Sequence, residues 1–363
     1  MNKKIVFLLV VTIVFSCFAA TTFAAVKTGS TVTLDGKTMN ASAYLPDDTY
    51  DSNIVYLPLR AISEALGYKV DWSQADKVIV ISNDNKKIII DQDNYRVTLF
   101  DLKNNSDHTY YMTHWPIAFK NITYVPLDFL MEEFSLKIDW DKTTGNVKIE
   151  TVKPNSIKII NKVEGDETKQ IVTKLQYPQL DGLDNKEVQN KINSTFKKLA
   201  DDAKIEGSDT FTDIEPSFFE NHQFAVDLDY KIKYNQNGLL CVVFTNYQYY
   251  GGAHGSTLQT AYTFNLKDGT QYKLGDMFKE KTDYVTLMSS FVKKQMKEIE
   301  AKAGFSIYDA FDKIDANHEF YIDSNQINVY FQQYAIGAYA LGIPEFRADY
   351  EDIRDVLNTE LGL

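Results

Sequence analysis

The sequence is poor in cysteine and in basic charge, and each shortage excludes a class of protein. The 363 residues include 2 cysteines, and Cys17 lies in an N-terminal segment that we expect to be removed. Cys241 is then alone in the apolar run 239–244, so an internal disulfide is excluded, and a buried structural thiol is favoured over a nucleophile. The 38 Lys and Arg residues stand against 50 Asp and Glu residues, a net charge of −12. The chain therefore lacks the excess of cations that binds nucleic acid.

The first 24 residues have the features of a secretory signal peptide. Lys3 and Lys4 form a positive start, residues 5–15 are almost entirely apolar, and residues 22–24 (Thr-Phe-Ala) suit a signal peptidase. The apolar stretch is short for a membrane span, although an uncleaved N-terminal anchor is the alternative. Loss of the two lysines would leave a charge of −14. No second hydrophobic stretch reaches membrane length, so we predict a secreted, extracellular protein, retained on the cell wall or released from it.

An internal repeat at an offset of 68 residues organises the first half of the chain. Residues 53–72 and 121–140 are identical at nine of twenty positions. Each copy has a short extended piece, a proline, an apolar pattern at helical spacing, and then an alternating strand that ends in tryptophan. The copies differ at two informative positions, because Asp128 replaces Arg60 and Ser135 replaces a helix-ending Gly67. We predict that 53–82 and 121–150 fold as two copies of one helix-plus-strand unit.

The repeat motif resembles a known family. The pattern LPLRAISEALGYKVDW, and its more divergent copy VPLDFLMEEFSLKIDW, are similar to the copper amine oxidase-like N-terminal domain. The resemblance covers residues 31–150 and is most specific in the first copy. It implies a small α+β accessory domain on a secreted or wall-attached bacterial protein, without known chemistry of its own.

The histidines do not support a copper site or any other metal site. Copper amine oxidases need an H-x-H pair with a third histidine, and no two histidines of this chain are two residues apart. His108 and His114 could share a metal only if a loop brought them together, and loop histidines facing solvent are the favoured reading. We therefore predict no metal site and no cofactor.

The second half alternates between long strands and amphipathic helices. Residues 222–234 alternate apolar and polar side chains, Asn237-Gly238 forms a hairpin turn, and residues 239–250 return as the next strand. A further strand follows at 257–266, and a last strand is predicted at 320–333. Two helical stretches are marked by apolar residues at helical spacing, namely Val188, Ile192 and Phe196 in the first and Leu287, Met288 and Phe291 in the second.

An aromatic turn is the best candidate for recognition. Tyr247, Tyr249 and Tyr250 lead into Gly251-Gly252-Ala253 and then His254. Aromatic faces beside hydrogen-bonding groups suit stacking on sugars or docking to a protein groove. The alternative, that the tyrosines pack the sheet and the glycines only permit its turn, stays open because alternation separates Tyr250 from the other two tyrosines. These four aromatic and histidine side chains are our predicted ligand-binding residues.

The second half also resembles known extracellular domains. The segments YYGGAHG (249–255), YTFNLKDGTQYKLGDMF (262–278) and the run 320–353 occur in that order. They are similar to the sensor part of a lysozyme-recognising anti-sigma factor and to the non-catalytic N-terminal region of a peptidoglycan deacetylase. The deacetylase resemblance implies that the catalytic half of such an enzyme is absent, because the H-x-x-x-H pair of that half does not occur here.

No catalytic constellation is recognisable in the sequence. The chain contains no G-x-S-x-G, C-x-x-C, H-E-x-x-H or P-loop motif. His254 and Ser256 are close in sequence, but a triad also needs an orienting acid and an oxyanion hole. We therefore predict that the protein is not an enzyme and has no catalytic residue.

These observations predict an α+β fold of two domains. The first is an N-terminal duplicated helix-plus-strand module, and the second is a C-terminal antiparallel sheet packed with amphipathic helices. The predicted boundaries are 1–24 for the signal peptide, 27–152 for the first domain, 153–168 for a linker and 169–361 for the second domain.

The predicted function is that of a secreted, non-catalytic cell-envelope protein. It would bind peptidoglycan or another wall polymer, or an extracellular protein such as lysozyme, with no nucleic-acid partner and no transmembrane segment after signal cleavage. The alternatives are a wall-polymer hydrolase with unrecognised carboxylate chemistry and a purely structural wall spacer. A deep cleft holding two carboxylates about 5–9 Å apart would favour the hydrolase.

Overall fold

The computed structural model describes residues 30–46, 54–112, 114–212 and 223–363. The predicted signal peptide, residues 1–24, lies outside the described residues, as do Asn53 and His222. Within the described ranges, no helix has both the length and the apolar composition needed to cross a membrane. The mixture of helices and sheets confirms the predicted α+β class.

The first half contains two short helices among its described strands. In chain order its elements are β1 (Val32–Leu34), β2 (Lys37–Thr38), β3 (Tyr56–Pro58), α1 (Leu59–Ala65), β4 (Lys69–Ser73), β5 (Val78–Ser82), β6 (Lys86–Asp91), β7 (Arg96–Asp101), β8 (Ser106–Tyr111), β9 (Ile117–Phe119), β10 (Ile122–Pro126), α2 (Leu127–Phe134), β11 (Leu136–Trp140) and β12 (Val147–Thr151).

The two repeat copies have the same order of elements. The first copy is β3-α1-β4-β5 and the second is β10-α2-β11-β12. Pro58 and Pro126 each end a strand in extended conformation, and each helix begins at the following leucine. The copies face each other through β3 and β10, which pair antiparallel. Strands β4 to β8 form an antiparallel sheet, while β1 pairs parallel with β12 and closes the domain.

The second half is built on a five-stranded sheet of order β13-β14-β15-β16-β17. A smaller sheet, β18-β19-β20, packs near one of its faces. The elements are β13 (Lys158–Glu164), β14 (Ile171–Asp181), α3 (Lys186–Thr212), β15 (Phe224–Gln236), β16 (Leu239–Tyr249), β17 (Ser256–Asn265), α4 (Tyr284–Ala303), β18 (Phe320–Ile322), β19 (Gln326–Tyr330) and β20 (Glu345–Asp349).

Alternation along β16 directs side chains into two separate cores. Leu240, Val242 and Phe244 pack against α3, where the Phe196 and Phe244 rings are 5.4 Å apart. Cys241 and Val243 face the other side and join the core built from α4 and the small sheet. Cys241 is buried and free, and burial raises the pKa of its thiol to about 11. This environment favours a structural thiol.

Two parts of the chain differ from the expected strand pattern. The segment 153–168, expected to be a linker, contains β13, which pairs with β14 at the edge of the large sheet. Its apolar and polar residues do not alternate regularly, and its side chains are only partly buried, so the sequence pattern did not indicate a strand. The predicted last strand, 320–333, is instead the hairpin β18–β19, since Asp323 Oδ1 accepts from the amides of Asn325 and Gln326 and forms a turn.

The end of α2 generates the first testable prediction. Ser135 caps α2 in the left-handed conformation, with φ 53°, at the position where Gly67 follows α1 with φ 85°. A side chain disfavours this conformation, so Ser135→Gly should raise the free energy of unfolding by about 0.5–1 kcal/mol. Denaturant melts of the wild type, Ser135→Gly and the control Ser135→Ala measure the effect. A glycine variant no more stable than the alanine control would contradict it.

Candidate functional site

A buried ion pair joins the two halves of the molecule. Lys233, at a bulge in β15, is hydrogen-bonded to Glu132 of α2, and their side chains are only 12% and 9% exposed. The Lys233 ammonium also lies 5.3 Å from the centre of the Tyr321 ring. A lone charge in this position would be strongly disfavoured, so each partner depends on the other.

The surrounding charges tune this pair. Burial opposes the charged form of Lys233, but Glu132, Asp128 and Glu345 outweigh it and raise the pKa of Lys233. Burial raises the pKa of Glu132 against the opposing pull of Lys233 and Lys231. Burial also opposes the charged form of Asp128, yet His114, whose Nδ1 lies 4.0 Å from Asp128 Oδ2, and the two lysines lower its pKa well below the usual range. The interface therefore holds alternating charges that depend on one another.

The equivalent positions in the first copy form a closed pair within that copy. Arg60 bonds to Glu64 and to the carbonyl oxygen of Val70. In the second copy, aspartate replaces the arginine and cannot donate. The matching carbonyl, that of Ile138, accepts instead from the side chain of Asn325 in the second half. Because the second copy lacks the arginine, its glutamate and its strand carbonyl bond to the second half of the chain.

Further polar contacts bring the edge strand β8 against the second half. His108 Nε2 donates to Asp229 Oδ1 over 2.7 Å, and its ring stacks on that of Tyr230 with centroids 4.2 Å apart. Gln176 Nε2 donates to the carbonyl of Thr109 over 2.7 Å. The predicted solvent-facing role of His108 is therefore wrong, because the histidine is part of the contact between the halves.

A cleft of about 1760 Å³ lies between the two halves. Its floor is the face of the large sheet that α3 leaves open, with polar side chains from β15, β16 and β17. One wall is α2 with the strand that ends at Trp140, and the opposite wall is formed by β19 and β20. The floor carries Asp227, Asp229, Lys231, Thr245, Tyr247, Thr257 and Gln259.

Asp227 and Tyr247 form the centre of that floor. They are directly opposite each other in the β15–β16 ladder. Burial raises the pKa of Asp227, and its buried Oδ1 has no hydrogen-bond partner among the described residues. Asp229 lies on the same face one pleat away, and it accepts from His108 and from the side chain of Gln176. The cleft thus presents one orphaned carboxyl oxygen and one firmly held carboxylate.

The structure separates the four predicted binding residues. Tyr247 lines the cleft, and its ring covers Gly255 so closely that a Cβ there would lie 2.4 Å from a ring carbon. Tyr249 donates its hydroxyl to the Gly252 carbonyl over 3.1 Å and so braces the turn. Tyr250 packs beside the α3 core and donates to Gln248 Oε1 over 3.0 Å. Packing therefore accounts for Tyr250, while Tyr247 faces a cavity.

His254 belongs to a small aromatic group beyond the end of the cleft. Its ring stacks on Tyr339 with centroids 3.6 Å apart and an interplanar angle of 19°. Its Nδ1 donates to the Gly255 carbonyl over 3.0 Å, and Tyr334 donates to its Nε2 over 3.3 Å. Both ring nitrogens are thus engaged, while His254 and Tyr334 are both exposed at the surface.

Sequence reasoning missed the charged side chains of the cleft. Asp227, Asp229 and Lys231 occupy the polar positions of an alternating strand, a pattern that equally describes a solvent-facing surface. One feature of the sequence could have pointed to the cleft. The second repeat copy has Asp128 where the first has Arg60, so a hydrogen-bond donor is missing from an otherwise retained motif. Among the side chains described here, no group of three His, Cys, Asp or Glu residues is arranged to hold a metal ion.

Three family models match successive parts of the chain. Residues 33–149 match "Copper amine oxidase N-terminal domain", residues 164–257 match "Deacetylase PdaC", and residues 275–351 match "Protein of unknown function (DUF3298)". The predicted resemblances to the copper amine oxidase-like N-terminal domain and to the deacetylase region are confirmed. The likeness to an anti-sigma factor stays a prediction.

One curated relative and two solved structures illustrate these similarities. The relative is named peptidoglycan-N-acetylmuramic acid deacetylase PdaC, from Bacillus subtilis strain 168, and is 24% identical over 173 residues. That alignment spans 47% of this chain and 37% of the relative. DUF3298-family crystal structures from Bacteroides fragilis NCTC 9343 and Pseudomonas aeruginosa PAO1 align at 18% and 12% identity, with TM-scores of 0.42 and 0.41. Each covers 58% of this chain, and the alignments span 98% and 97% of those chains.

The buried pair between the halves generates the second prediction. Replacing one partner, as in Glu132→Leu or Lys233→Met, should cost about 3–5 kcal/mol of unfolding free energy, because it leaves the other charge buried without a partner. The double variant Glu132→Leu/Lys233→Met should recover most of that loss. Denaturant melts arranged as a double-mutant cycle measure the coupling.

The exposed pair of Lys148 and Glu150 provides the control for that cycle. Their side chains are 2.8 Å apart on the domain surface. Lys148→Met should change the unfolding free energy by less than about 1 kcal/mol. Additive losses in the Glu132/Lys233 cycle would show that the two halves do not depend on their ion pair.

Proposed function

We propose that this protein is a secreted, non-catalytic cell-envelope protein that binds a wall glycan in the cleft between its two halves. The observation that carries the proposal is the cleft itself, which has a polar floor and an aromatic side chain, Tyr247, beside Asp227. Ligand sites of this kind combine a concave surface with a few convergent polar groups. The floor supplies donors and acceptors for sugar hydroxyls, and the tyrosine supplies a ring face.

The similarities to known proteins support the envelope and the glycan. The region of residues 164–257 is similar to that of a protein named for acting on the N-acetylmuramic acid of peptidoglycan. The floor of the cleft lies largely within this region, since β15 and β16 fall inside it. We extend from that relative only the class of ligand, a wall polymer, and not its reaction.

Negative and positive side chains lie close together on the floor of the cleft. This local balance of charge suits a ligand with little net charge. On one face of β15, Asp227 and Asp229 are followed by Lys231 and Lys233, so the face carries two negative and two positive side chains. A uniformly charged partner, such as a basic lysozyme, would be attracted by the acidic chain as a whole. Inside the cleft, however, it would meet both signs of charge. We therefore place the glycan ahead of the protein partner.

A second candidate function is hydrolysis of a wall polymer, and the pair Asp227 and Asp229 favours it. Successive residues on one face of a strand are about 7 Å apart, within the range of carboxylate separations in glycosidases. Burial raises the pKa of Asp227, as expected of a general acid. Asp229 is held by His108 and Gln176 and could act on water. This arrangement is a rival explanation of the same cleft.

The third prediction tests binding in the cleft. Purified mature protein should be retained by insoluble peptidoglycan. Tyr247→Ala should weaken retention about three- to tenfold, because one aromatic contact is lost. Thr245 lies on the same face of β16 as Tyr247, two residues before it. Thr245→Trp should abolish retention by peptidoglycan, because the larger side chain fills the floor of the cleft. Phe305→Ala removes an exposed aromatic side chain outside the cleft lining and should bind as the wild type does.

The same material separates binding from turnover. Release of soluble fragments or reducing ends by the wild type, lost in Asp227→Asn, would establish the hydrolase and overturn the binding-only proposal. Wild-type protein that is not retained by peptidoglycan would overturn glycan binding altogether. If it is instead retained by immobilised lysozyme, less strongly as salt increases, then the protein partner replaces the glycan.

A further inference from the structure

Two consecutive hairpin turns of the first half have the same internal construction. In the turn between β6 and β7, the carboxylate of Asp91 accepts from the amide and the side chain of Asn94 over 3.1 and 2.8 Å. In the turn between β7 and β8, Asp101 accepts from the amide and the side chain of Asn104 over 3.0 and 2.6 Å. The chain therefore provides its own matched comparison of the residue that completes each turn.

The residue that completes each turn is in the left-handed conformation. Asn105 has φ 47° and Tyr95 has φ 59°. Asparagine tolerates this conformation, whereas a bulky aromatic residue there is unusual and strained. Burial does not compensate for the strain, because Tyr95 is 54% exposed. Because backbone strain is retained at this exposed residue, we expect the Tyr95 side chain to have a role other than packing within the domain.

Tyr95 contacts the ring of Trp115, which packs against the core of the first half and adjoins residues that line the cleft. Its ring lies 4.3 Å from that of Trp115, centroid to centroid, with an interplanar angle of 49°. Trp115 directly follows His114, which lines the cleft, and Tyr111 also lines the cleft and is 58% exposed. Tyr111 faces Arg96, the neighbour of Tyr95, across the β7–β8 ladder. We call Tyr95, Tyr111 and Trp115 the aromatic ledge.

We propose that the aromatic ledge stacks against sugar rings of a glycan strand that extends out of the cleft. This inference rests on the proposed function and adds a second contact region, contributed by the first half. Aromatic rings with a polar edge suit the apolar C–H faces of sugars while their hydroxyls remain hydrated. Because contacts between the halves fix the separation of the ledge and the floor, one strand can contact both without the entropy cost of bringing two flexible domains together.

Exchanging the residues of the two turns tests the inference. Tyr95→Asn should raise the melting temperature, because it removes the strain, and should weaken retention by insoluble peptidoglycan about three- to tenfold. If Tyr95 had only a structural role, its replacement would not raise the melting temperature and weaken peptidoglycan retention at the same time. The matched control, Asn105→Tyr, introduces the same strain in the other turn and should lower the melting temperature without changing retention.

A second variant and a second probe complete the experiment. Tyr111→Ala, on the surface of an edge strand, should weaken retention to a similar degree, and chitin oligomers should compete with peptidoglycan for the wild type more effectively than for Tyr95→Asn. Wild-type retention that is unchanged in Tyr95→Asn and Tyr111→Ala would overturn the ledge while leaving cleft binding intact. Absence of retention in the wild type would instead overturn the proposed function. Loss of binding to immobilised lysozyme in the ledge variants, with peptidoglycan binding unaffected, would make the ledge a protein-docking surface and overturn the glycan assignment.

Discussion

The ion pair between Lys233 and Glu132 is the interaction on which the arrangement of the two halves depends. Neither charge could be buried alone, so the pair forms only when α2 lies against the bulge of β15. That placement brings Asn325 to the free carbonyl of Ile138 and sets the width of the cleft. A pair of this kind adds little net stability relative to apolar residues. We infer that it selects one docking geometry, because an arrangement that buried either charge alone would be disfavoured.

Duplication followed by divergence accounts for this interface. The first copy satisfies its own groups through Arg60, Glu64 and the Val70 carbonyl. The second copy keeps the glutamate, as Glu132, but has lost the arginine, so both the glutamate and the strand carbonyl became available to an outside partner. One copy therefore remains a self-contained unit, and the other is an attachment surface. The change of motif in the second copy therefore coincides with the part of the interface formed by Glu132 and the Ile138 carbonyl.

The fold class and the repeat could be predicted because both depend on local patterns. Prolines before apolar helical spacing marked each copy, and strict alternation in residues 224–234 marked the central strand. The cleft could not be predicted, since alternation does not distinguish a face in water from a face covered by another domain. Strand β13 was missed for a different reason, because its apolar and polar residues do not alternate regularly and its side chains stay partly exposed at the sheet edge. Tyr247 was found for its aromatic context, whereas Asp227 was missed because acidic residues are common throughout the chain.

The parallel pairing of β1 with β12 has a mechanical consequence. Val32 is opposite Val147 and Leu34 is opposite Ile149, so the two ends of the first half run side by side in the same direction. Tension applied between residue 32 and residue 151 would pull these strands past each other along their length. Their hydrogen bonds would then carry the load together, in shear, and would not open one after another. A domain closed in this way resists being drawn out by tension between its two ends.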